Sequence, residues 1–329
     1  MQRRIIAGAM FAAAILMFVA AAFSASTQAA PPAQEMKGDP TRGAYIFVAA
    51  AGCGCHMSEA GFLAGGAKYD LGPLGVVFAK NLTSDEATGL GKWSEADIVT
   101  AIRTGKTPDG GMLFPIMPYQ NFSGMSDQDA YDLASYIKTV PPVSNDVPKD
   151  DLKIPVPPFT PPQAPATAPT EGAARGEYLV KHVSDCSGCH TPTDAQGAPM
   201  MDKFLAGSVV EGEVAANITP DMETGIGTWT EEQIVNLLKT GQRPDGSAVG
   251  GLMAQVVAGG FSKLTDADRA AIAAYLKTIP AVNNTPAPAT LPATGGDMNN
   301  LPLTFALIAL GGALLVTGAF VWRGARRTR

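Results

Sequence analysis

Cys186-Ser187-Gly188-Cys189-His190 places two thiols three positions apart, with an imidazole directly behind the second. On a short helix, residues three and four apart share a face. Both thiols can therefore reach the two vinyl groups of one porphyrin, while His190 turns its ring toward the iron. Cys-x-x-Cys-His is the attachment pattern of c-type haem. A structural zinc knuckle and a redox-active cysteine pair use the same residue types. Zinc needs two further Cys or His ligands, and the other histidine in this half of the chain is His182.

The elements that must position this motif occur twice. Asn81-Leu82-Thr83, Asp85, Thr88-Gly89, Gly91 and Trp93 recur at a constant offset as Asn217-Ile218-Thr219, Asp221, Thr224-Gly225, Gly227 and Trp229. The same offset carries Ile98-Val99 to Ile234-Val235, Gly105 to Gly241, Pro108-Asp109-Gly110 to Pro244-Asp245-Gly246, and Met117 to Met253. His56 matches His190 at an offset two residues shorter. A duplication of this length sets the architecture, with domains over 36–143 and 171–282. A methionine kept in register with a haem-binding histidine is a candidate axial ligand, and that ligand pair raises the haem reduction potential. Filling gaps in a core is the ordinary use of methionine. Met117 precedes Pro118, which biases it toward an extended loop. Met253 is followed by Ala254 and rests on register.

With these stretches in view, each half resembles a class I cytochrome c domain. Together they are similar to the cytochrome c subunits of membrane-bound alcohol and aldehyde dehydrogenases. The resemblance is carried by Asn217-Ile218-Thr219-Pro220-Asp221, Thr224-Gly225-Ile226-Gly227-Thr228-Trp229, Met117-Pro118-Tyr119 and Ala274-Tyr275-Leu276-Lys277. It implies His56 with Met117 and His190 with Met253 as axial pairs, and two covalently attached haem c groups. It also implies that Trp93 and Trp229 lie near the haem propionates, ordinary core aromatics being the alternative. Many relatives carry three such domains, whereas this chain shows two.

The first motif departs from the pattern. It reads Gly52-Cys53-Gly54-Cys55-His56, with Gly52 where the first thiol belongs. On a regular helix Cys53 lies about 200° from Cys55, at roughly 100° per residue, and faces away from the expected vinyl. The expectation is a haem held by Cys55 alone. A distorted turn that permits both bonds is the rival, since glycine adopts backbone conformations other residues avoid.

The four cysteines all lie in the two motifs, so no disulfide framework is implied. Arg3-Arg4, an apolar run from Ile5 to Phe23 and small residues to Ala30 form a secretory signal pattern, assigned to residues 1–29; an uncleaved anchor is the alternative. Leu301–Trp322 carries no charge and is long enough to span a bilayer. Arg323, Arg326, Arg327 and Arg329 follow it. Positive flanks stay in the cytoplasm, so the domains face outward and the tail, 323–329, inward. Between the second domain and the span, residues 283–300 form a stalk containing Leu291-Pro292-Ala293-Thr294-Gly295. With the span and the arginines, this resembles a sortase sorting signal, which implies cleavage after Thr294 and linkage to a cell wall. An Ala-, Pro- and Thr-rich linker spelling the motif by chance is the alternative. Residues 144–170 are dense in proline and read as a semi-rigid spacer.

The formal net charge is −6, and six of the arginines sit in the two terminal segments, so the outer domains are more acidic than the whole. Such a field disfavours nucleic acid and favours redox protein partners with a basic docking face. Salt would weaken that encounter. The bland use of the same charge is solubility.

The local signals are helical, and the fold class expected is all-α: two tandem cytochrome c-like domains, a Pro-rich linker and a C-terminal transmembrane helix. Asp39-Pro40 caps and opens a first helix; its counterpart begins near Glu171. Ser94-x-x-Asp97 and Thr230-x-x-Gln233 open second helices as capping boxes, closed by Gly105 and Gly241. Last helices start after Ser126 and Thr265 and stop before Pro141 and Pro280. Leu133, Tyr136, Ile137 and Val140, repeated by Ile272, Tyr275, Leu276 and Ile279, form an apolar stripe.

These features predict an extracytoplasmic electron carrier without substrate chemistry, anchored to the membrane or wall. The alternatives are the cytochrome subunit of a membrane dehydrogenase complex, and a dihaem peroxidase or thiosulfate-oxidising enzyme. The enzyme would need one haem without its methionine. His182 could then serve as an acid-base group, although a structural role suits a residue on the helix that leads to His190.

Overall fold

The computed structural model describes residues 36–286, apart from 157, 195 and 196. The signal segment, the sorting-like motif, the apolar span and the basic tail lie outside the described residues. Among the described residues no helix is long and apolar enough to cross a membrane.

Both halves build the same frame. In the first, α1 (Pro40–Ala49), α2 (Glu95–Thr104), the short α3 (Tyr119–Phe122) and α4 (Asp127–Lys138) surround the core. In the second, α5 (Gly172–His182), α6 (Cys186–His190), α7 (Glu231–Thr240), α8 (Gly251–Gly259) and α9 (Asp266–Leu276) do so. The expected caps form. The Asp39 side chain accepts from the backbone N–H of Thr41 and Arg42, both capping boxes close reciprocally, and Gly105 and Gly241 end their helices in left-handed conformation. The apolar stripe is core: Leu133, Ile137 and Val140 are buried, as are Ile272, Tyr275, Leu276 and Ile279.

First and last helices cross where glycine lets them touch. A Cβ on Gly43 would lie 1.8 Å from the Asp132 carbonyl oxygen, and one on Gly176 would lie 1.9 Å from that of Ala271. No larger residue fits either crossing, so these glycines set the contact of α1 with α4 and of α5 with α9.

The all-α expectation needs a small amendment. Strands β1 (Lys68–Asp70), β2 (Gly75–Phe78) and β3 (Asp151–Leu152) form an antiparallel sheet in the order β1-β2-β3. Tyr69 faces Val77 across the first pair, and Val76 faces Asp151 across the second. In the second half β4 (Ser208–Val210) and β5 (Glu213–Ala215) form a hairpin with Val209 opposite Val214. Strands this short show no alternation in sequence.

The Pro-rich segment, read as a semi-rigid spacer, is stitched onto the first domain. Asp150 accepts from the Phe78 N–H and the Lys80 ammonium, and β3 extends the sheet. The Phe159 ring packs on Tyr119 at 5.6 Å between centroids. The carbonyls of Pro165 and Ala166 accept from the N–H groups of Asp127 and Gln128 at 2.8 and 3.1 Å. A helix leaves its first N–H groups without partners, and here the linker satisfies two of them at the start of α4.

The domains dock through an approximate two-fold exchange. Tyr178 of α5 donates to Asp129 Oδ2 at 2.7 Å and accepts from the Ser126 N–H at 3.0 Å, at the cap of α4. Tyr45 of α1 donates to Asp268 Oδ2 at 2.6 Å and accepts from the Thr265 N–H at 3.1 Å, at the cap of α9. Burial alone would raise Asp268, but its hydrogen bonds from Arg175 and Tyr45 outweigh that and hold the carboxyl below its usual range. The buried apolar residues form one cluster running through both domains. Tyr178→Phe is expected to cost about 2 kcal/mol, since a buried carboxylate and N–H lose a partner. Equilibrium denaturation measures this; a loss under about 0.5 kcal/mol would show that water replaces the hydroxyl.

Candidate functional site

Each histidine is held by the same device. His56 Nδ1 lies 2.7 Å from the Lys80 carbonyl oxygen, and His190 Nδ1 lies 2.7 Å from that of Ala216. A carbonyl can only accept, so Nδ1 carries the proton and Nε2 is left as a bare lone pair. Metal-bound histidines are oriented in this way, by a hydrogen bond on the ring nitrogen away from the metal. Burial holds both imidazoles below their ordinary range and so favours the neutral form that a metal ligand requires.

The carbonyls that orient the rings are themselves fixed by the residue that follows. Asn81 Oδ1 accepts from the N–H and hydroxyl of Thr83, while Nδ2 donates to Thr88 Oγ1 and the Val143 carbonyl. Asn217 repeats this with Thr219, Thr224 and Val282. Both asparagines are 2 % exposed, so their glycosylation-like sequences are structural. A second clamp works from the other side. The N–H groups of Gly65 and Gly207 donate to the backbone carbonyls of His56 and His190 at 2.9 and 2.7 Å. Asn145 and Asn284 donate to the carbonyls of Ala64 and Ala206, both at 2.9 Å. Leu63 and Leu205 sit fully buried at φ 56° and 60°, a left-handed conformation that costs a non-glycine residue roughly 1–2 kcal/mol.

Of the clamp residues only Asn145 and Asn284 lie beyond the domain bounds 36–143 and 171–282, and the sequence carries the signature of them all. Phe62-Leu63-Ala64-Gly65 recurs as Phe204-Leu205-Ala206-Gly207, and Pro141-x-Val143-x-Asn145 as Pro280-x-Val282-x-Asn284. Insertions change the offset at both places and hide the match.

Trp93 and Trp229 pack against the core, half-buried. Their loops are held by lysines of the last helices. Lys138 Nζ donates to the carbonyls of Gly91 and Trp93 at 2.9 and 2.6 Å, and Lys277 Nζ to those of Gly227 and Trp229, both at 2.9 Å.

Met117 and Met253 both lie half-buried against the core. Met117 sits in the loop before α3, as its proline suggested, whereas Met253 is the third residue of α8. That helix begins where Glu213 accepts from the Leu252 N–H at 2.9 Å.

The second motif forms the expected short helix, α6, capped by Asp185. The first does not. Gly52 and Cys53 are both left-handed, with φ 68° and 49°. The helical wheel that turned Cys53 away from the haem face therefore does not apply. Cys53 is half-buried against the core, as Cys186 is, while Cys55 and Cys189 are exposed.

The two attachment segments adjoin. Ser184 Oγ donates to the Ala49 carbonyl at 2.9 Å, joining the residues just before each motif. Asn121 donates to Asp185, whose carboxyl burial pushes up to about 6. His182 Nδ1 donates to the Asn121 carbonyl at 3.0 Å, and its ring packs where a Cβ on Gly124 would stand 2.4 Å away. His182 is thus a structural pin between the domains.

The arrangement fits covalently attached haem. Each half offers one oriented neutral imidazole, a thiol beside it, a core-packed thiol and a thioether in register. Tetrahedral zinc needs four convergent donors, and among the described residues no group of three or more His, Cys, Asp or Glu converges in that way.

Comparison with known proteins agrees. The family model for cytochrome c matches residues 40–141 and 173–280. The chain is 33 % identical to the cytochrome c subunit of alcohol dehydrogenase (quinone) from Gluconacetobacter polyoxogenes, over 92 % of this chain and 67 % of that one. It is 33 % identical to the fructose dehydrogenase cytochrome subunit of Gluconobacter japonicus, over 76 % of this chain and 54 % of that one. It is 32 % identical to a diheme cytochrome c-type protein of Cereibacter sphaeroides, over 75 % of this chain and 88 % of that one. The chain thus spans between about half and two thirds of the length of these two dehydrogenase subunits. The two matched segments coincide with the two histidine-bearing halves, and on both counts the chain belongs to the cytochrome c family.

Proposed function

We propose that this protein is a dihaem electron carrier that works outside the cytoplasm. The observation that carries the reading is the paired frame: in each half a neutral imidazole, locked through Nδ1, presents Nε2 in a domain that also keeps a methionine in register. A haem c bound there supplies reversible one-electron exchange, at a potential raised by methionine ligation. His56 and Met117 would hold one haem and His190 and Met253 the other, with Cys55, Cys186 and Cys189 as covalent anchors. Asn81 and Asn217 fix the imidazoles by fixing the carbonyls that orient them. Two ligands from the chain on each iron would leave no position for a substrate, and the chemistry supplied would be electron exchange alone. The Ser184–Ala49 bond joins the roots of the two motifs, so haems held there would belong to one docked unit.

Anchoring through 301–322 is supported by its lack of charge and by the arginines behind it. The sorting-like motif at Leu291–Gly295 extends that to a wall-linked form. The acidic balance favours redox partners that present a basic face. A second reading, the cytochrome subunit of a dehydrogenase complex, is favoured by the names of the alcohol and fructose dehydrogenase relatives. The first reading predicts that reductive titration of the loaded chain takes up two electrons reversibly, with no consumption of added peroxide. Uptake of one electron, or steady peroxide turnover, would overturn it. Co-migration with a dehydrogenase subunit after gentle solubilisation of native membranes would establish the second.

A further inference from the structure

We propose that the first haem is held by two thioether bonds, with Cys53 taking the place of the missing first cysteine of a Cys-x-x-Cys-His motif. The inference rests on the haem-site reading above and extends it to a residue that ordinary spacing disqualifies.

Three observations place Cys53 there. First, Gly52, which stands where Cys186 stands in the second domain, is buried and offers no sulfur. A Cβ built on it would meet the Phe47 ring at 3.6 Å and the Gly259 carbonyl at 4.0 Å. Second, the backbone compensates for the missing residue. In the second domain one left-handed residue, Asp185 at φ 48°, precedes the helical Cys186. In the first domain Ala51, Gly52 and Cys53 are all left-handed, at φ 54°, 68° and 49°. This run replaces the regular helix of the second motif with a distorted turn that ends on Cys53. Third, Cys53 arrives in the surroundings of Cys186. Both are half-buried against the core, whereas Cys55 and Cys189 are both exposed. Cys53 lies within electrostatic reach of Tyr136 as Cys186 does of Tyr275, and these tyrosines occupy the same position on α4 and α9. A non-glycine residue in left-handed conformation is uncommon and is held only where its surroundings demand it. Here it sits at the second position of a haem motif.

The chemistry balances without a redox partner. Each thiol adds across one vinyl C=C: a carbon–sulfur bond forms at the carbon next to the ring, and the thiol hydrogen ends on the terminal carbon. One S–H bond and one π bond are consumed for each cysteine, and no electrons are gained or lost.

The test uses the full haem-loaded chain. After denaturation and reduction it is alkylated with iodoacetamide and digested, and the cysteine-containing peptides are weighed. The proposal expects no alkylated cysteine, because all four thiols are thioethers. It also expects a pyridine haemochrome α band at the position of haem with both vinyls saturated. Cys53→Ala should keep covalent haem in the first domain through Cys55 while shifting the band of about half the haem toward that of a single-vinyl species. Recovery of alkylated Cys53 from the unaltered chain, or identical haemochromes for the two proteins, would overturn the two-bond assignment and leave the haem site standing. Absence of covalent haem from the peptide bearing Cys55-His56 would overturn the site reading itself.

Discussion

Met253→His is expected to lower the midpoint potential of one haem by on the order of 0.2–0.3 V, within the ~0.8 V range that axial ligands command. The other haem should move far less. A second imidazole donates more strongly than a thioether and stabilises the ferric state, whereas the His–Met pair favours the ferrous state. The position suits a clean test. Met253 stands one residue after the N–H that Glu213 caps at 2.9 Å, half-buried against the core on a helix that buries Val257. Met117→His gives the parallel result for the other haem, from a loop rather than a helix. Spectropotentiometric titration reads both values. Unchanged potentials would show that Met253 fills space in the core and does not face the iron.

Asn217→Ala is expected to cost about 3–5 kcal/mol, from neutral hydrogen bonds worth about 1 kcal/mol each and buried partners stranded at about 1–3 kcal/mol each. Asn217 joins three parts of the domain. Nδ2 donates to Thr224 Oγ1 at 2.9 Å and to the Val282 carbonyl at 2.7 Å, and Oδ1 accepts from the Thr219 N–H at 2.9 Å and its hydroxyl at 2.7 Å. Water cannot readily replace a group that is 2 % exposed. The variant should also loosen His190, since the carbonyl orienting that ring belongs to Ala216, the preceding residue. Denaturant titration of the haem-loaded protein measures the first effect, and broadening of the haem spectrum follows the second. A loss below about 1 kcal/mol would mean that the loop holds its shape by backbone alone. Asn81→Ala should behave alike in the first domain.

Much of this frame could be read from the chain because its signals are local or repeated. Caps at Ser94, Ser126, Thr230 and Thr265 depend on residues three positions apart, and each forms as expected. The histidines and the Asn-x-Thr loops stood out because one domain repeats the other. What escaped depends on distant partners. Asn145 and Asn284 act on carbonyls 81 and 78 residues away in sequence, and no local rule signals that. The Pro-rich segment advertised stiffness, but not that its carbonyls would satisfy the open N–H groups of α4. Strands β1 to β5 are set by pairing and are too short to alternate visibly. At Cys53 the regular helical wheel was the wrong frame, because Gly52 permits a left-handed step that a spacing rule cannot anticipate.

The measurement closest to the central claim is addition of carbon monoxide to the fully reduced, haem-loaded protein, followed by optical spectroscopy. Iron closed by His56 and Met117 in one domain, and by His190 and Met253 in the other, should leave the Soret band unchanged. Met117→Ala and Met253→Ala should each open one haem to the gas. Prompt binding by the unaltered protein would contradict the account: one iron would then have an open position, and substrate chemistry at that haem would replace electron transfer as the reading.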